Sequence, residues 1–507
     1  MTPNKRLRPA LMGIYICTAV LLTLSTGCSK SFTSSGDALQ GQPPATAFWN
    51  KAADATSAVN SIYGQLRAYG NTAFPAIAIE ETGSDDAVKG SSSNDATYFN
   101  LYDNFTVDAT ENQLGGFWGA QYQNINLCNQ VLDHVDTMKT VDASLKARYL
   151  AEAKFVRAWS YFRLVRAFGR VPLVLKVPVT TAELNPTQST AAQVWAAIEQ
   201  DLTDAATVLP ASYGAADIGR ATKGAALALH AKVAMYQKKW SDVLTYTNAV
   251  TGLGVYSLFP NYYQQFRLAN ENNSESVFEI QCDYVPGNDD INTSQYSQVQ
   301  GDRDVTSPGS VGWGFNSPTQ NLVNEFESGD PRLAATVMFA NSTTPSGDVV
   351  PPAGADAPSR YNMKSYVPWA LAVLAANQGC QQNVRILRYS DVLLMNAEAN
   401  NELGNSAAAL ASLEQVRARA RANSSNPATI LPAVTTTDQA ALRTAIYHER
   451  RVELAMEYDR YFDVIRQGRA ATVFGPLGWK AGKNEVWPIP QSEIDNSGGK
   501  LVQNPGY

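Results

Sequence analysis

Histidine occurs three times in the 507 residues, at His134, His230 and His448, and cysteine five times. No two histidines are close enough for a helical zinc pair; His448 is followed by Glu449 but lacks the second histidine of HExxH. Cys17 and Cys28 belong to the amino-terminal leader, which leaves Cys128, Cys282 and Cys380, odd in number and far apart. Neither a disulfide framework nor a metal cluster is indicated, and no cofactor is expected. GxSxG, GxxxxGK[ST] and GxGxxG are all absent, so no nucleophile elbow, phosphate loop or dinucleotide fingerprint is present. A glycosidase stays open, because its two carboxylates need no fixed spacing. Basic charge is also scarce: the formal charge is −6, and it becomes −9 without Lys5, Arg6 and Arg8. That excludes a nucleic-acid partner, which needs a basic surface.

What is present is a large apolar share, 45% of residues, enough to bury a core too big for one small domain. The clearest unit runs from Ile386 to Arg421. Its first half lacks Pro and Gly as far as Gly404, and Arg388, Asp391, Glu398 and Glu402 fall on one stripe between apolar faces. Gly404 supplies a left-handed stop and Asn405 or Ser406 the next cap, after which Ala409, Leu413, Val416 and Ala420 recur at helical spacing. This helical hairpin resembles a tetratricopeptide-type unit, which must stack on neighbours. Further helices are predicted over 46–69, 114–138, 143–168, 190–208, 223–236, 240–251, 438–457 and 461–467. The expected fold is therefore all-α dominated, with about four helical pairs.

The expected organisation is a signal peptide over 1–27, a Ser/Gly/Pro-rich tether over 28–45, helical scaffold over 46–251, an irregular insertion over 252–381, and scaffold with a tail over 382–507. The apolar run Leu11–Leu24 is shorter than the roughly 20 residues of a membrane span. Gly27-Cys28 at its end resembles a lipobox, which makes Cys28 the expected lipidated residue and a membrane anchor. Helical periodicity fails over 70–108, which reads as a long ordered loop of the functional kind.

Several separated segments resemble the SusD/RagB family of outer-membrane nutrient-binding lipoproteins, in that family's order: RAWSYFRLVRAFGRVPLV at Arg157, YSLFPNYYQQF at Tyr256, ESVFEI at Glu275, GDPRL at Gly329, RYSDVLLMNAEA at Arg388, HERRVELAMEYDRYFDVIRQG at His448 and WPIPQSEIDN near the end. The resemblance implies a tetratricopeptide-like scaffold carrying an irregular ligand-binding part. It also implies a non-enzymatic lipoprotein on the cell outer membrane, facing the exterior, that captures oligosaccharide, or in some members peptide, for a SusC-like TonB-dependent barrel. An exported glycoside hydrolase and a protein-binding adaptor are the competing classes.

The charge-dense run Glu449, Arg450, Arg451, Glu453, Glu457, Arg460, Asp463, Arg466 reads as structural pairing at three- or four-residue spacing, worth roughly 0.2–0.5 kcal/mol per pair. Ligand contact is sought among rings in irregular segments, since a flat ring offers rigid apolar area to a sugar face. Trp313, between Gly312 and Gly314 that leave its ring room, is the first candidate. Tyr296 and Tyr284 come from the same insertion, and Asp86, Tyr98 and Tyr102 from the earlier loop. Trp159 and Trp195 lie on helix faces and belong to the core.

Overall fold

The computed structural model describes residues 48–286, 292–303, 312–354, 357–373, 375 and 379–507. The signal peptide, the tether and Cys28 lie outside them. Ten helices carry the fold: α1 (Ala52–Leu66), α2 (Asn112–Val135), α3 (Ala143–Phe168), α4 (Ala191–Val208), α5 (Lys223–Tyr236), α6 (Trp240–Gly252), α7 (Tyr389–Glu402), α8 (Ser406–Ala422), α9 (Gln439–Leu454) and α10 (Arg460–Arg466). Each helix from α2 to α8 packs on the next one in sequence, α6 on α7 included. That is the expected tetratricopeptide-like stack of helical pairs, with short strands beside it. The junction of α6 and α7 closes the stack across the segment inserted between Gly252 and Tyr389.

Local signals account for most helix ends. Gly404, at φ +81°, ends α7 in the left-handed region and Gly169, at φ +70°, ends α3. Thr190, Thr222 and Asp438 cap α4, α5 and α9 by accepting a backbone N–H of the first turn. α3 and α5 are buried along most of their length, because each lies between two neighbours. Among the described residues no helix is long and apolar enough to cross a membrane.

Two expectations need correction. The helix of the organising hairpin starts at Tyr389, not Ile386: Val384–Arg388 is a strand paired antiparallel with Ser276–Ile280. Its β-branched and aliphatic residues sit in a sheet whose other strand packs Phe278 against Phe155 of α3, ring centroids 4.9 Å apart. Segment 70–108 is likewise not a loop throughout. It holds short helices at Tyr69–Thr72, Phe74–Ile77 and Phe99–Asp103, a π-helical turn at Ala78–Thr82, and a strand at Ala87–Gly90 that pairs antiparallel with Phe315–Pro318. Short turns without a continuous apolar stripe leave no period to detect.

The charge-dense run pairs structurally, at the expected helical spacing for Asp463 and Arg466, 2.7 Å apart, and otherwise mostly with partners from distant segments. Glu453 is 0% exposed and accepts from Arg388, Arg419 and Arg332 at 2.9, 2.6 and 3.2 Å. These arginines come from three other segments. Burial works to raise the Glu453 carboxyl, yet the three guanidinium groups hold it at about 2. Arg466 reaches Glu398 of α7 at 2.6 Å, and Asp391 of α7 bonds Lys232 of α5 at 3.1 Å as well as Arg450. The polar stripe of α7 thus faces α5, α9 and α10 and ties the helices together in the interior. The carboxy-terminal tail is bound in too: Trp487 is fully buried, donates from its indole to Ile79 O at 3.1 Å, and lies among Tyr102, Phe105 and Tyr461.

Candidate ligand-binding site

Phe74 is the hub of a ring cluster at the edge of the fold. Its ring meets Phe315 at 4.7 Å, Phe99 at 5.1 Å, Trp313 at 5.7 Å and Tyr69 at 6.1 Å between centroids, each edge-to-face. Tyr98 lies over Phe99 at 5.3 Å. Phe74, Phe99 and Phe315 are buried, whereas Trp313 and Tyr98 are half-buried and Tyr69 is 46% exposed. The outcome is a surface of three partly exposed rings held by three buried ones. Edge-to-face contacts fix ring orientation, each worth about 0.5–1.5 kcal/mol beyond area burial.

The strand pair brings these rings together. Gly90 pairs with Phe315, and Ser91 N–H donates to Gly314 O at 2.6 Å. A Cβ on Gly90, at φ +69°, would stand 2.3 Å from Gly314 O, so only glycine permits the approach. Gly312 answers a similar demand: a Cβ there would lie 2.0 Å from the Gly301 carbonyl carbon. Of the two glycines flanking Trp313, Gly312 is thus required by backbone approach, and Gly314 by its left-handed φ of +74°. The loop after Gly90 is stapled by Lys89, whose ammonium donates to the carbonyls of Gly90, Ser92 and Asp95 at 2.9, 2.6 and 3.0 Å.

Polar groups border the rings. Arg303 bonds both Ser91 and Asp95, and its guanidinium holds the Asp95 carboxyl below its ordinary value. Burial pushes the Tyr69 hydroxyl up to about 12, and Tyr98 is raised by burial and by the neighbouring Tyr69. Both phenols therefore stay neutral donors at physiological pH. A face of fixed rings edged by neutral hydroxyls and one ion pair is suited to hold an uncharged polyhydroxy ligand.

Of the residues singled out in the sequence, the fold joins Trp313 and Tyr98 in this patch. Tyr284 is half-buried and makes no ring contact with it. The other three are corrected, because they are interior. Tyr102 is 0% exposed and bonds Glu111. Tyr296 is 6% exposed and tilts against Tyr458 at 6.3 Å. Asp86 is 0% exposed and is held by Arg451 at 2.7 Å. Tyr69 and Phe74 were missed; a ring beside Gly70 at a helix end and the Phe-Pro step at 74–75 were the available signals. Trp159 is core as expected, and Trp118 packs on Phe168 at 5.1 Å.

A stack of helical pairs beside a ring patch on short paired strands defines a tetratricopeptide-like class of repeat protein. Residues 274–478 match the model described as SusD family, and residues 39–235 match the one described as "Starch-binding associating with outer membrane". A solved laminarin-binding SusD-like protein is 30% identical, with 90% of this chain and 100% of that one covered at a TM-score of 0.78. SusD-like protein P2 of Formosa agariphila is 28% identical over 80% of this chain and 83% of its own length. Surface glycan-binding protein A of Bacteroides thetaiotaomicron, solved with laminarihexaose, shares the fold at a TM-score of 0.76 and 24% identity, with 90% of this chain and 100% of that one covered. The chain belongs to the SusD family.

Proposed function

We propose that this protein is a lipid-anchored glycan-binding protein of the outer membrane that captures oligosaccharide and hands it to a SusC-like TonB-dependent transporter. The observation that carries the binding role is the patch of Tyr69, Tyr98 and Trp313 braced by Phe74. Half-exposed rings stack on the apolar faces of pyranose units, and the Asp95–Arg303 pair beside them orients hydroxyls. Asp95, kept ionised by Arg303, serves there as an acceptor for sugar hydroxyls and not as a proton donor. Hand-over to a transporter needs release as well as capture, which suits a Kd between micromolar and millimolar, on the order of −8 to −4 kcal/mol. Anchoring through Cys28 and an outward-facing position complete the reading, with the inserted segment 252–381 and the segment 70–108 supplying the ligand-facing side.

The relative that binds laminarin makes laminarihexaose the first ligand to try. Calorimetric titration of the protein lacking its leader is expected to show binding, with Trp313→Ala weaker by roughly tenfold or more, the loss of about one stacked ring. The hexasaccharide should be recovered intact. Shortened products would refute the binding-only role, and an unchanged Kd in Trp313→Ala would refute the patch.

A further inference from the structure

The face of α9 that turns away from the ion-paired interior lines a cleft of about 500 Å³, a volume usual for small-ligand pockets. Arg443, Tyr447 and Arg451 recur there at four-residue spacing, and Arg460 and Arg469 also line the cleft. Four guanidinium groups around one cavity repel unless each is compensated. Three are. Arg443 is bonded to Glu402 at 2.7 Å, Arg460 to Asp85 at 2.7 and 2.8 Å, and Arg451 to Asp86 and Glu325 at 2.7 and 2.5 Å.

Arg469 differs. Among the described residues no carboxylate pairs with it; its Nη1 donates to the neutral Gln467 Oε1 at 3.1 Å, and its guanidinium stands 5.7 Å from the Tyr447 ring centroid. Burial, and then the charges of Arg460 and Arg451, lower its pKa, and the more distant Asp85 offsets them only in part. A cation held against its surroundings at the wall of an open cleft is where an anion gains most.

We propose that this cleft is a second binding site, for an oxyanion carried on a sugar, a carboxylate or a sulfate, with Arg469 as its charge partner and the half-buried Tyr447 ring as the platform for the sugar face. The planar guanidinium presents parallel N–H donors to two oxygens, and only a neutral contact to Gln467 has to be exchanged. The acid of the lining, Glu325, is ion-paired with Arg451, whose charge offsets its repulsion of an anion at Arg469. The site is separate from the ring patch. Asp86, the partner of Arg451, precedes the strand Ala87–Gly90, and the rings gather at that strand's other end, roughly 10 Å away at the usual rise per residue. Monosaccharides are too short to engage both.

The test is calorimetry at low salt with methyl glucuronide, glucose 6-sulfate and neutral methyl glucoside, on the protein lacking its leader. One or both acidic sugars should bind roughly tenfold or more tighter than the glucoside, and Arg469→Gln should abolish the difference. Sodium sulfate should compete, and Trp313→Ala, which can weaken binding of any of the three sugars at the ring patch, should not remove the preference. Whichever acidic sugar binds tighter names the substituent. A preference that survives in Arg469→Gln, that is lost in Trp313→Ala, or that is absent from the unaltered protein would overturn the proposal. A readout free of substitution is protection of Arg469 from phenylglyoxal by sulfate, followed by peptide mass; equal modification with and without sulfate would also overturn it.

Discussion

Replacing Arg450 by methionine measures how far interior charge balance holds the helices in place. Arg450 is 1% exposed; its Nε donates to Asp463 at 2.6 Å, its Nη1 to Asp391, and its Nη2 lies 3.5 Å from Asp459. These groups belong to a connected set in which Arg163, Arg166, Lys232, Arg450 and Arg466 face Glu80, Asp391, Glu398, Asp459 and Asp463. Cations and carboxylates are equal in number, so loss of Arg450 leaves one negative charge uncompensated in the core. Removing one member of a buried pair costs about 3–5 kcal/mol, and methionine fills much of the vacated volume, so the charge dominates. Asp391→Asn should also destabilise, but the double variant restores neutrality and should fall short of the summed losses by about 1–3 kcal/mol. The pH dependence follows from Asp391. Burial would raise its carboxyl, yet Arg450 and Lys232 hold it well below the ordinary range. Its contribution is therefore present above the unfolded pKa of about 4 and lost as pH falls through the lower folded value. Without Arg450 the folded pKa rises, so the variant's deficit should narrow between pH 7 and pH 5. Urea unfolding followed by far-UV circular dichroism at both pH values reads each term. A loss under about 1 kcal/mol, or strict additivity in the double variant, would refute this account of the core.

Three further substitutions address the ring patch and its support. Burial raises the Asp103 carboxyl to about 7 despite the hydrogen bond it accepts from Lys89 N–H at 3.0 Å. Its folded pKa exceeds the unfolded one, so the stability linked to its protonated form is full below about pH 4 and is lost as pH climbs through about 7. Asp103→Asn should match the parent at pH 4 and be more stable at pH 8 by about 1–2 kcal/mol, less than the full shift implies because the residue as a whole is only half-buried; thermal melts at the two pH values decide. Lys89→Met removes three donations to backbone carbonyls, and is expected to speed amide exchange over 91–96 and weaken laminarihexaose binding by about threefold. Gly90→Ala adds a Cβ 2.3 Å from Gly314 O at φ +69°, so it should lower stability by about 2 kcal/mol and reduce laminarihexaose binding together with it, whereas Gly254→Ala, at a similar φ of +67° in open space, should spare binding.

The scaffold was legible wherever a local rule decided the structure. α3 runs from Ala143 to Phe168 as its periodicity and Gly169 require, and Gly404 ends α7 in the left-handed region. Strand Val384–Arg388 was not, because five residues leading into a helical pattern give no period of their own, and the partner that makes them a strand lies at Ser276–Ile280. Charge was legible in kind but not in place. The spacing of Arg388, Asp391 and Glu398 identifies one face of a helix, but it cannot say that this face meets Glu453, Lys232 and Arg466 rather than water. In the site, Trp313 and Tyr98 stood out as rings among small and polar residues. Tyr102 and Tyr296 stood out for the same reason and are core, since the irregular segments have an interior that composition alone does not reveal.

The position of the patch follows from the same division. Its two halves, Tyr69 to Phe99 and Trp313 to Phe315, are far apart in sequence and meet through the strand pair, through Phe74, and through Phe99 stacked on Phe315 at 5.7 Å. Neither half is a helix of the stack. The ring geometry can therefore change with residues at those tips while the buried ion pairs among α5, α7, α9 and α10 stay as they are. The cost of such a change is also confined: a partly exposed ring lost from the rim removes ligand contact, whereas the loss of Phe74, 8% exposed and touching four other rings, removes the support that fixes the rim. Ligand preference should thus reside in Tyr69, Tyr98 and Trp313, and ligand affinity of any kind should require Phe74.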